Sequence, residues 1–370
     1  MRKLASVQRI LELQPIEGKD KIELATVLGW KVVVQKNEFK VNDLCVYIEA
    51  DSLLPEREEF EFLRKRCYSK KYGGFRIRVM KLGTIYSQGI VFPISILKGK
   101  VSEGQDVSEQ LNVRAYDPDE LKGIPKKKTK FWWFRRLLVR LGFKSFDKKA
   151  QNWPNFAIKS DETRLGAVPE ILNYMYGKRL YVSEKIDGQS SLYFYYKGKF
   201  GVCSRNVWLV KNRKGGYDNG QYFEMAEKYD LETKLKKLGR NIGIQGEIVG
   251  PGIQGNKLQL KERELYVYQI QDLEKGTFLN ADEMRGLCEE LNLKEVPIIF
   301  YGKYVEDILT ENTVDNWTSF AVRKSEITPE VEAEGIVVRT MIEESVPNLM
   351  TVKNRLSFKV INPEFILKFD

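Results

Sequence analysis

Residues 181–191 read Tyr181-Val-Ser-Glu-Lys185-Ile-Asp187-Gly188-Gln-Ser-Ser191 and carry the strongest local pattern in this chain of 370 residues. The pattern predicts a short strand ending at Glu184, a tight polar turn, and a second strand over 192–196. A lysine beside apolar strands is partly desolvated, which lowers its pKa and frees the amine to attack phosphorus or a carbonyl carbon. The alternative is a solvent-exposed hairpin in which Asp-Gly is only the turn signal.

The composition restricts the chemistry that the chain can perform. There is no histidine, which excludes imidazole bases, Ser-His and Cys-His nucleophiles, and zinc sites that need histidine. Catalysis must therefore use lysine, arginine, carboxylates and a hard metal ion. The cysteines are scattered without metal-ligand spacing, which favours reduced structural thiols in a cytosolic protein. They are Cys45, Cys67, Cys203 and Cys288.

The formal charge of +10 is concentrated in one segment. Residues 121–150 contain eleven Lys or Arg against the single acid Asp147. Within it, Lys126-Lys-Lys-Thr-Lys130 is followed directly by Phe131-Trp-Trp-Phe134. Basic residues interleaved with aromatics favour nucleic-acid contact, through phosphate pairing and base stacking. Packing of the aromatics on the neighbouring domain, or binding to an anionic membrane surface, is left open.

The length favours two domains, which we place at 1–116 and 151–370 with a basic aromatic arm over 117–150 between them. The front region predicts short strands and one helix within Pro55–Arg66, the pattern of an OB-like β-barrel. Such barrels commonly bind nucleic acid, although a purely structural add-on has the same pattern. The strands are Gly29–Gln35, Leu44–Ile48 and Phe75–Val79.

The second region mixes strands with helices, so the fold class is α+β. Helical spacing runs from Tyr222 to Leu238 and stops at Gly239, and Asn280 with Glu283 forms a capping-box pattern. Pro169 is well placed in the first turn of another helix. Strands are predicted over 200–204, 242–249, 264–270, 335–339 and 356–361.

Four features occur in one order along this region: Lys185-x-Asp187-Gly188, then Glu247 in Gln-Gly-Glu-Ile, then Glu334-Gly-Ile-Val-Val, then Lys359 in Ser-Phe-Lys-Val. This series resembles the covalent nucleotidyltransferases, which comprise ATP-dependent DNA ligases, RNA ligases and mRNA-capping enzymes. Within them, the chain is most similar to nick-sealing RNA ligases with an N-terminal OB module. The resemblance covers nearly the whole chain, apart from the arm and the 341–351 stretch.

Two further stretches resemble the same subfamily, Ser87-Gln-Gly-Ile and Asp161-Glu-Thr-Arg164. Only eleven residues follow Lys359, whereas DNA ligases and capping enzymes of this class carry their OB domain after the last lysine motif. The resemblance therefore implies an OB-like barrel in front of an ATP-grasp-like adenylation domain of mixed, mostly antiparallel sheets with helices.

The resemblance also implies a role for each motif residue. Lys185 would attack ATP and carry AMP, and Lys359 would contact the α-phosphate. Asp187 and Glu334 would hold Mg²⁺ or Mn²⁺ through its waters, and we expect nearby cations and this metal to lower the pKa of Lys185. The remaining candidates would bind the nucleotide or the 5′-phosphate: Glu184 (adenine, through its backbone), Gly188 (close backbone approach), Glu247 (ribose), Arg164 and Arg205 (phosphates).

One departure from the family pattern concerns the last motif. Related enzymes often have Lys-x-Lys there, whereas this chain has Ser357 in the first place, which leaves Lys353 or Arg355 as candidate substitutes. The resemblance implies an RNA or RNA-containing duplex with a nick as substrate. We expect a monomer without membrane association, located in the cytoplasm, with the nucleus left open. A DNA ligase and a non-catalytic RNA-binding protein with a degenerate transferase fold are the alternatives.

Overall fold

The computed structural model describes residues 3–116, 150–210 and 220–369. These divide into two compact units, the first holding 3–116 with 166–169 and 366–369, and the second holding the remainder. The basic aromatic arm lies outside the described residues, apart from the strand residue Ala150, so its role stays a prediction. The predicted domain boundaries border the same region and stay predictions too.

The first unit is built almost entirely from short antiparallel strands. They form sheets of five (β10-β4-β1-β2-β3), four (β11-β5-β7-β6) and two strands (β8-β9). Its helix is α1, Arg64–Cys67, which continues a 3-10 helix at Glu58–Leu63. The strands are β1 Ala5–Ile16, β2 Lys19–Val27, β3 Trp30–Gln35, β4 Leu44–Ile48, β5 Ser52–Leu54, β6 Tyr68–Ser69, β7 Gly74–Arg76, β8 Val79–Leu82, β9 Ile85–Gln88, β10 Ile90–Pro93 and β11 Arg114–Ala115.

The long strand β1 organises this unit. Its first half, 5–9, pairs with β4, and its second half, 10–16, pairs with β2 across a bulge between Ile10 and Glu12. A bulge bends a strand and increases its twist, so one strand can serve two parts of the same curved sheet. Separate apolar clusters fill the two sides, one around Phe60 and Phe75 and the other around Trp30 and Val32. The architecture is the predicted OB fold.

The Ser87-Gln-Gly-Ile stretch has a structural part in this unit. The Ser87 hydroxyl accepts a hydrogen bond from the Val33 backbone N–H at 3.0 Å. Gly89 has a φ of 115°, and a Cβ there would lie 2.6 Å from the Ile48 carbonyl oxygen. Glycine is therefore required where β9 turns into β10 against β4.

The second unit contains a seven-stranded sheet (β12-β16-β15-β14-β17-β18-β19) and a four-stranded sheet (β20-β13-β21-β22). All its named strand pairs are antiparallel, as predicted. The strands are β12 Ala150–Asn152, β13 Leu180–Lys185, β14 Gln189–Tyr196, β15 Lys199–Ser204, β16 Val207–Leu209, β17 Ile242–Val249, β18 Glu264–Asp272, β19 Thr277–Phe278, β20 Ile298–Lys303, β21 Gly335–Thr340 and β22 Ser357–Ile361.

The turn that carries the lysine connects these two sheets. β13 pairs with β20 and β21, whereas β14 pairs with β15 and β17. β13 and β14 do not pair with each other, so the alternative of a simple exposed hairpin is wrong. The turn at 186–188 instead places Lys185 and Asp187 where the ends of both sheets meet.

The helices differ from the sequence prediction in one place. The segment predicted as a single helix over 222–238 is broken at Asp230, whose φ is 48°. Aspartate tolerates this left-handed conformation better than most residues do, and the chain reverses there. No helix in the described ranges has both the length and the apolar character that crossing a bilayer requires. The helices are α2 Gly220–Lys228, α3 Leu231–Leu238, α4 Ala281–Glu290, α5 Val314–Ala321 and α6 Pro363–Phe369.

The predicted capping residues behave as expected. α3 ends at Gly239 with a φ of 65°, and Asn280 forms a capping box with Glu283 at the start of α4. Pro169 begins a 3-10 helix, Pro169–Tyr174, instead of an α-helix. All four cysteines are free thiols, three of them buried.

Candidate active site

The motif lysine ends β13 and forms an ion pair. Its Nζ donates a hydrogen bond to Glu334 Oε2 at 2.6 Å, and the two side chains are only 24% and 16% exposed. Glu334 immediately precedes β21, whose first residue, Gly335, lies opposite Lys185 in the sheet. A Cβ at Gly335 would lie 2.1 Å from the Val360 carbonyl oxygen. Only glycine allows β21 and β22 to approach here, and this approach fixes Glu334 beside the lysine.

The pKa of Lys185 differs from the sequence prediction. Burial lowers the pKa of the amine, but the negative charges of Glu334, Glu247 and Asp187 outweigh burial, and the pKa is raised above its ordinary value. The expectation that surrounding cations depress this pKa is therefore wrong for the ligand-free pocket. The amine can become a nucleophile only after the carboxylates around it have been neutralised or displaced.

Asp187 is held by a residue that the sequence did not reveal. Lys257 Nζ donates a hydrogen bond to Asp187 Oδ2 at 2.6 Å, and both side chains are 22% exposed. The same ammonium lies 4.7 Å from the centroid of the Phe365 ring. Lys257 ends the glycine-rich stretch 250–257 that follows β17, and this position is the one signal that could have identified it.

Gly188 brings the turn directly onto β17. A Cβ there would lie 2.4 Å from the Ile248 carbonyl oxygen and 2.9 Å from Glu247 Cγ. Burial raises the pKa of the Glu247 carboxyl to about 8; the positive charge of Lys185 opposes this shift, whereas Glu334 and Asp187 add to it. The Glu247 carboxyl has no hydrogen-bonding partner among the described residues. It is therefore the uncompensated acid of the pocket.

The late lysine and one of the predicted arginines meet on a single carboxylate. Lys359 Nζ donates to Asp161 Oδ1 at 2.8 Å, and Arg205 Nη2 donates to Asp161 Oδ2 at 3.2 Å. Arg164 lies opposite Lys359 in a parallel β-bridge. Burial lowers the pKa of Lys359, and Asp161 opposes this shift while Lys185 adds to it. The structure thus brings Lys359, Arg164 and Arg205 together beside the motif lysine.

Glu184 has its side chain turned away from solvent. Its carboxyl is 2% exposed, and Oε2 accepts a hydrogen bond from the Glu326 backbone N–H at 2.8 Å. Oε1 is buried without a partner, and burial raises the pKa of the group. The Glu184 backbone N–H donates to the Pro297 carbonyl at 2.9 Å. A contact of its backbone with adenine would therefore have to use the carbonyl oxygen.

The structure separates the two candidates for the missing first lysine of the last motif, Lys353 and Arg355. Arg355 is 4% exposed and makes a bidentate pair with Glu343, at 2.7 and 2.6 Å, and a longer one with Glu162 at 3.4 Å. A buried and fully paired arginine has a structural role, which removes it as the substitute. The Ser357 hydroxyl is buried without a partner, and Lys353 occupies an irregular turn with a φ of 55°.

The acids of the pocket are suited to a divalent metal ion. Asp187, Glu247 and Glu334 outnumber Lys185 and Lys257, and their oxygens are the ligands that Mg²⁺ and Mn²⁺ prefer. The described residues contain no group of three side chains close enough to coordinate one ion directly. The donor set fits a hydrated cation held by one or two carboxylates together with a substrate phosphate.

Comparisons with known proteins agree with this geometry. The RNA ligase family matches residues 178–361, and an OB-fold domain matches residues 4–94. A search of curated protein sequences finds no match.

Among solved structures, a lysine-to-alanine mutant of Naegleria gruberi RNA ligase superposes with a TM-score of 0.79 at 26% identity, covering 100% of this chain and 99% of the other. The same enzyme with pyrophosphate gives 0.78 at 27%, again covering 100% and 99%. Another mutant of it, solved with ATP and Mn, gives 0.79 at 26% and covers 99% of both chains.

A partly buried lysine paired with a carboxylate, at the junction of two antiparallel sheets, defines a covalent nucleotidyltransferase. Its OB fold lies in the first unit, and the ligase match spans the strands that carry Lys185, Glu247, Glu334 and Lys359. The chain belongs to the RNA ligase family.

Proposed function

We propose that this chain seals nicks in RNA-containing duplexes by joining a 3′-hydroxyl to a 5′-phosphate through a lysyl-adenylate on Lys185. ATP and a divalent metal ion are its cofactors. The observation that carries the proposal is the partly buried Lys185–Glu334 pair at 2.6 Å, beside Asp187 and Glu247. A structural ion pair does not need two further partly buried acids next to it, since each one adds desolvation cost.

In the first step, the Lys185 amine loses its proton and attacks the α-phosphorus of ATP, so that an N–P bond forms and pyrophosphate leaves. Glu334 Oε2 is the acceptor nearest to that proton. Glu334 and Asp187 are placed to hold a hydrated Mg²⁺ or Mn²⁺, which would offset the charge of the phosphates and weaken the field of the carboxylates on the amine.

The cations around Asp161 complete the phosphate site. Lys359 is a compact ammonium suited to the α-phosphate, where negative charge develops in the transition state. Arg164 and Arg205 present planar guanidinium groups that pair well with phosphate oxygens. Glu247, with its raised pKa, keeps a proton near neutral pH and can both donate to and accept from the ribose hydroxyls.

In the second step, AMP passes from Lys185 to the 5′-phosphate of the RNA and the lysine is restored. In the third, the 3′-hydroxyl attacks this activated phosphate, a phosphodiester forms and AMP leaves. A monomer suffices for these three reaction steps, because all the residues named above come from the second unit of one chain. We place the activity in the cytoplasm, with the nucleus as the other compartment.

The test is labelling of the protein by each of the four α-labelled nucleoside triphosphates with Mg²⁺. We expect a label from ATP on the wild-type chain and a loss of at least about 1000-fold in Lys185→Met, because the substitution removes the amine that attacks the α-phosphorus. Lys199→Met, at an exposed position on β15, is the matched control and should label normally. Full labelling of Lys185→Met would refute the proposal.

A second assay decides the polynucleotide. Otherwise identical nicks that end in a ribose or a deoxyribose 3′-terminus are compared for the rate of sealing. A strong preference for ribose is expected. Equal or faster sealing of an all-DNA nick would instead identify a DNA ligase, and an adenylylated protein that seals neither would leave only RNA binding.

A further inference from the structure

A second strongly basic segment lies in the first unit. Residues 64–78 contain seven Lys or Arg and no acid. We call this segment, which comprises α1, β6, β7 and the two residues after β7, the basic hairpin. Arg64 lies 4.3 Å from the ring centroid of Tyr68 and 5.4 Å from that of Phe75, so the helix packs on the hairpin.

Most of these cations have no acidic partner. Arg64 pairs with Glu56 and Glu61, and Arg76 pairs with Asp51. Within the part of the chain that the structure describes, the other exposed cations form neither an ion pair nor a hydrogen bond through their side chains. They are Lys65, Arg66, Lys70 and Arg78, and Lys71 contacts Tyr72, with its Nζ 5.0 Å from the ring centroid.

Cations that are distant in sequence are close in space here. Burial raises the pKa of the Cys67 thiol, and the positive charges of Arg78 and Arg66 both oppose this shift. β6 pairs with β7, and Tyr68 lies opposite Phe75, so Arg66 and Arg78 lie at the same open end of the hairpin. Unpaired exposed cations repel one another, so their accumulation on one surface indicates an anionic partner that offsets the repulsion.

The aromatic residues of this surface identify the kind of anion. Tyr72 and Tyr116 meet edge to face, with ring centroids 4.9 Å apart, and the Arg76 guanidinium lies 3.7 Å from the centroid of Tyr116. Lys71 lies over Tyr72 in the same way. Because cations already cover these ring faces, they offer no open platform for an unstacked base. A duplex keeps its bases stacked and presents phosphates outward.

We propose that the basic hairpin docks the phosphate backbone of the nicked RNA duplex. This proposal rests on the proposed function and adds to it a contact surface on the OB-fold unit. The hairpin neutralises phosphates without reading bases, so it supports sealing of nicks irrespective of sequence.

The test compares two triple variants of the full chain. Arg66→Ala/Lys70→Ala/Arg78→Ala removes three unpaired cations from the basic hairpin. Lys19→Ala/Lys21→Ala/Lys36→Ala removes three exposed lysines elsewhere in the same unit and is the matched control. Affinity for a nicked RNA duplex is measured by fluorescence anisotropy across a salt series without ATP. A plot of log K against log salt has a negative slope, and its magnitude decreases by about 0.9 for each phosphate contact that is lost. We expect this magnitude to decrease by about 2–3 in the hairpin variant and by less than about 1 in the control.

Two controls accompany the two measurements that decide the proposal. Circular dichroism must show that both variants fold, and lysyl-AMP formation should persist in both, since it reports on the other unit. An unchanged slope in the folded hairpin variant would overturn the proposal. An equal loss of affinity for unstructured single-stranded RNA would overturn its assignment to duplex. Because the slope is measured without ATP, it decides the hairpin whether or not the chain adenylylates.

Discussion

The pocket around Lys185 and the basic hairpin differ in how their charged side chains are compensated. In the pocket, Lys185 pairs with Glu334 and Lys257 pairs with Asp187, each at 2.6 Å. On the hairpin, the exposed residues Arg66, Lys70 and Arg78 form no ion pair with the described residues. A shielded charge must be compensated within the protein, whereas an exposed one is compensated by water and counterions. A substrate that enters the pocket therefore has to break existing ion pairs, whereas a polyanion can bind the exposed cations of the hairpin directly.

Lys257→Met would break the pairing inside the pocket. Without this ammonium, Asp187 loses its hydrogen-bonding partner and the acids around Lys185 are less well balanced. We expect lysyl-adenylate formation to slow about tenfold to 100-fold, or about 1.4–2.8 kcal/mol of barrier. Rapid-quench measurement with α-labelled ATP gives the rate. Lys257→Arg should restore part of it, and Lys261→Met, at an exposed position nearby, is the charge-matched control.

A double-mutant cycle with Asp187→Asn tests whether Lys257 acts through Asp187. If it does, the two losses are far from additive. Once Lys257 has been replaced, the Asp187 carboxylate has lost the ammonium that holds it, so replacing Asp187 as well adds little further loss. Additive losses would show that Lys257 serves some other group, and the pairing in the pocket would then be structural only.

Glu247→Gln tests the pocket acid whose carboxyl has no hydrogen-bonding partner among the described residues. Its pKa of about 8 in the folded chain lies above the ordinary 4.5, so folding takes up a proton between these values. The contribution of this group to stability is fully present at acid pH and is lost as pH rises through about 8. Glutamine cannot ionise. The fall in the free energy of unfolding from roughly pH 5 to 8 should therefore be smaller in the variant, by on the order of 2 kcal/mol.

Urea unfolding of wild type and variant over that pH range provides the measurement. The difference between the two proteins isolates Glu247 from the other titrating groups, which both share. Glu262→Gln, at an exposed position, should leave the pH dependence unchanged. Parallel curves for wild type and Glu247→Gln would mean that Glu247 is ionised at neutral pH and that the pocket holds one more negative charge than we infer.

The order of motifs along the chain made much of the site predictable. Lys185, Glu334 and Lys359 each lie on or beside a strand with a clear apolar pattern, so their approximate positions follow from strand pairing. The predicted strand at Phe75–Val79 is instead divided between β7 and β8. Apolar residues alternate with arginines in this stretch, yet Arg76 is buried between Asp51 and the ring of Tyr116. An alternating pattern cannot show that a buried arginine has found its partners elsewhere in the fold.

Two features of the site could not be predicted from local sequence. Lys257 acts through a contact that spans seventy residues of chain, and the glycine-rich stretch before it does not indicate which residue it contacts. The pKa of Lys185 is set by a sum of opposing effects: three carboxylates from three separate segments raise it, and burial lowers it. The sign of such a sum depends on distances of a few ångströms, which only the folded chain provides.

Asp161→Asn tests the smallest expected effect, at the rim of the pocket. Asp161 is 61% exposed and uses both carboxylate oxygens on Lys359 and Arg205, the cations assigned to phosphate. We infer that it occupies the place of a phosphate until ATP arrives. An exposed ion pair is worth about 0.2–1 kcal/mol, so removing this competitor should tighten ATP binding by a factor of about 1.4 to 5.

Calorimetric titration of ATP in the Lys185→Met background gives this affinity without turnover, and Glu170→Gln is the control for loss of an exposed carboxylate. Weaker binding in Asp161→Asn would mean that the carboxylate orients Lys359 and Arg205 for the phosphate instead of competing with it. The pocket would then be organised before ATP binds, and charge rearrangement would be confined to the Lys185 and Asp187 pairs.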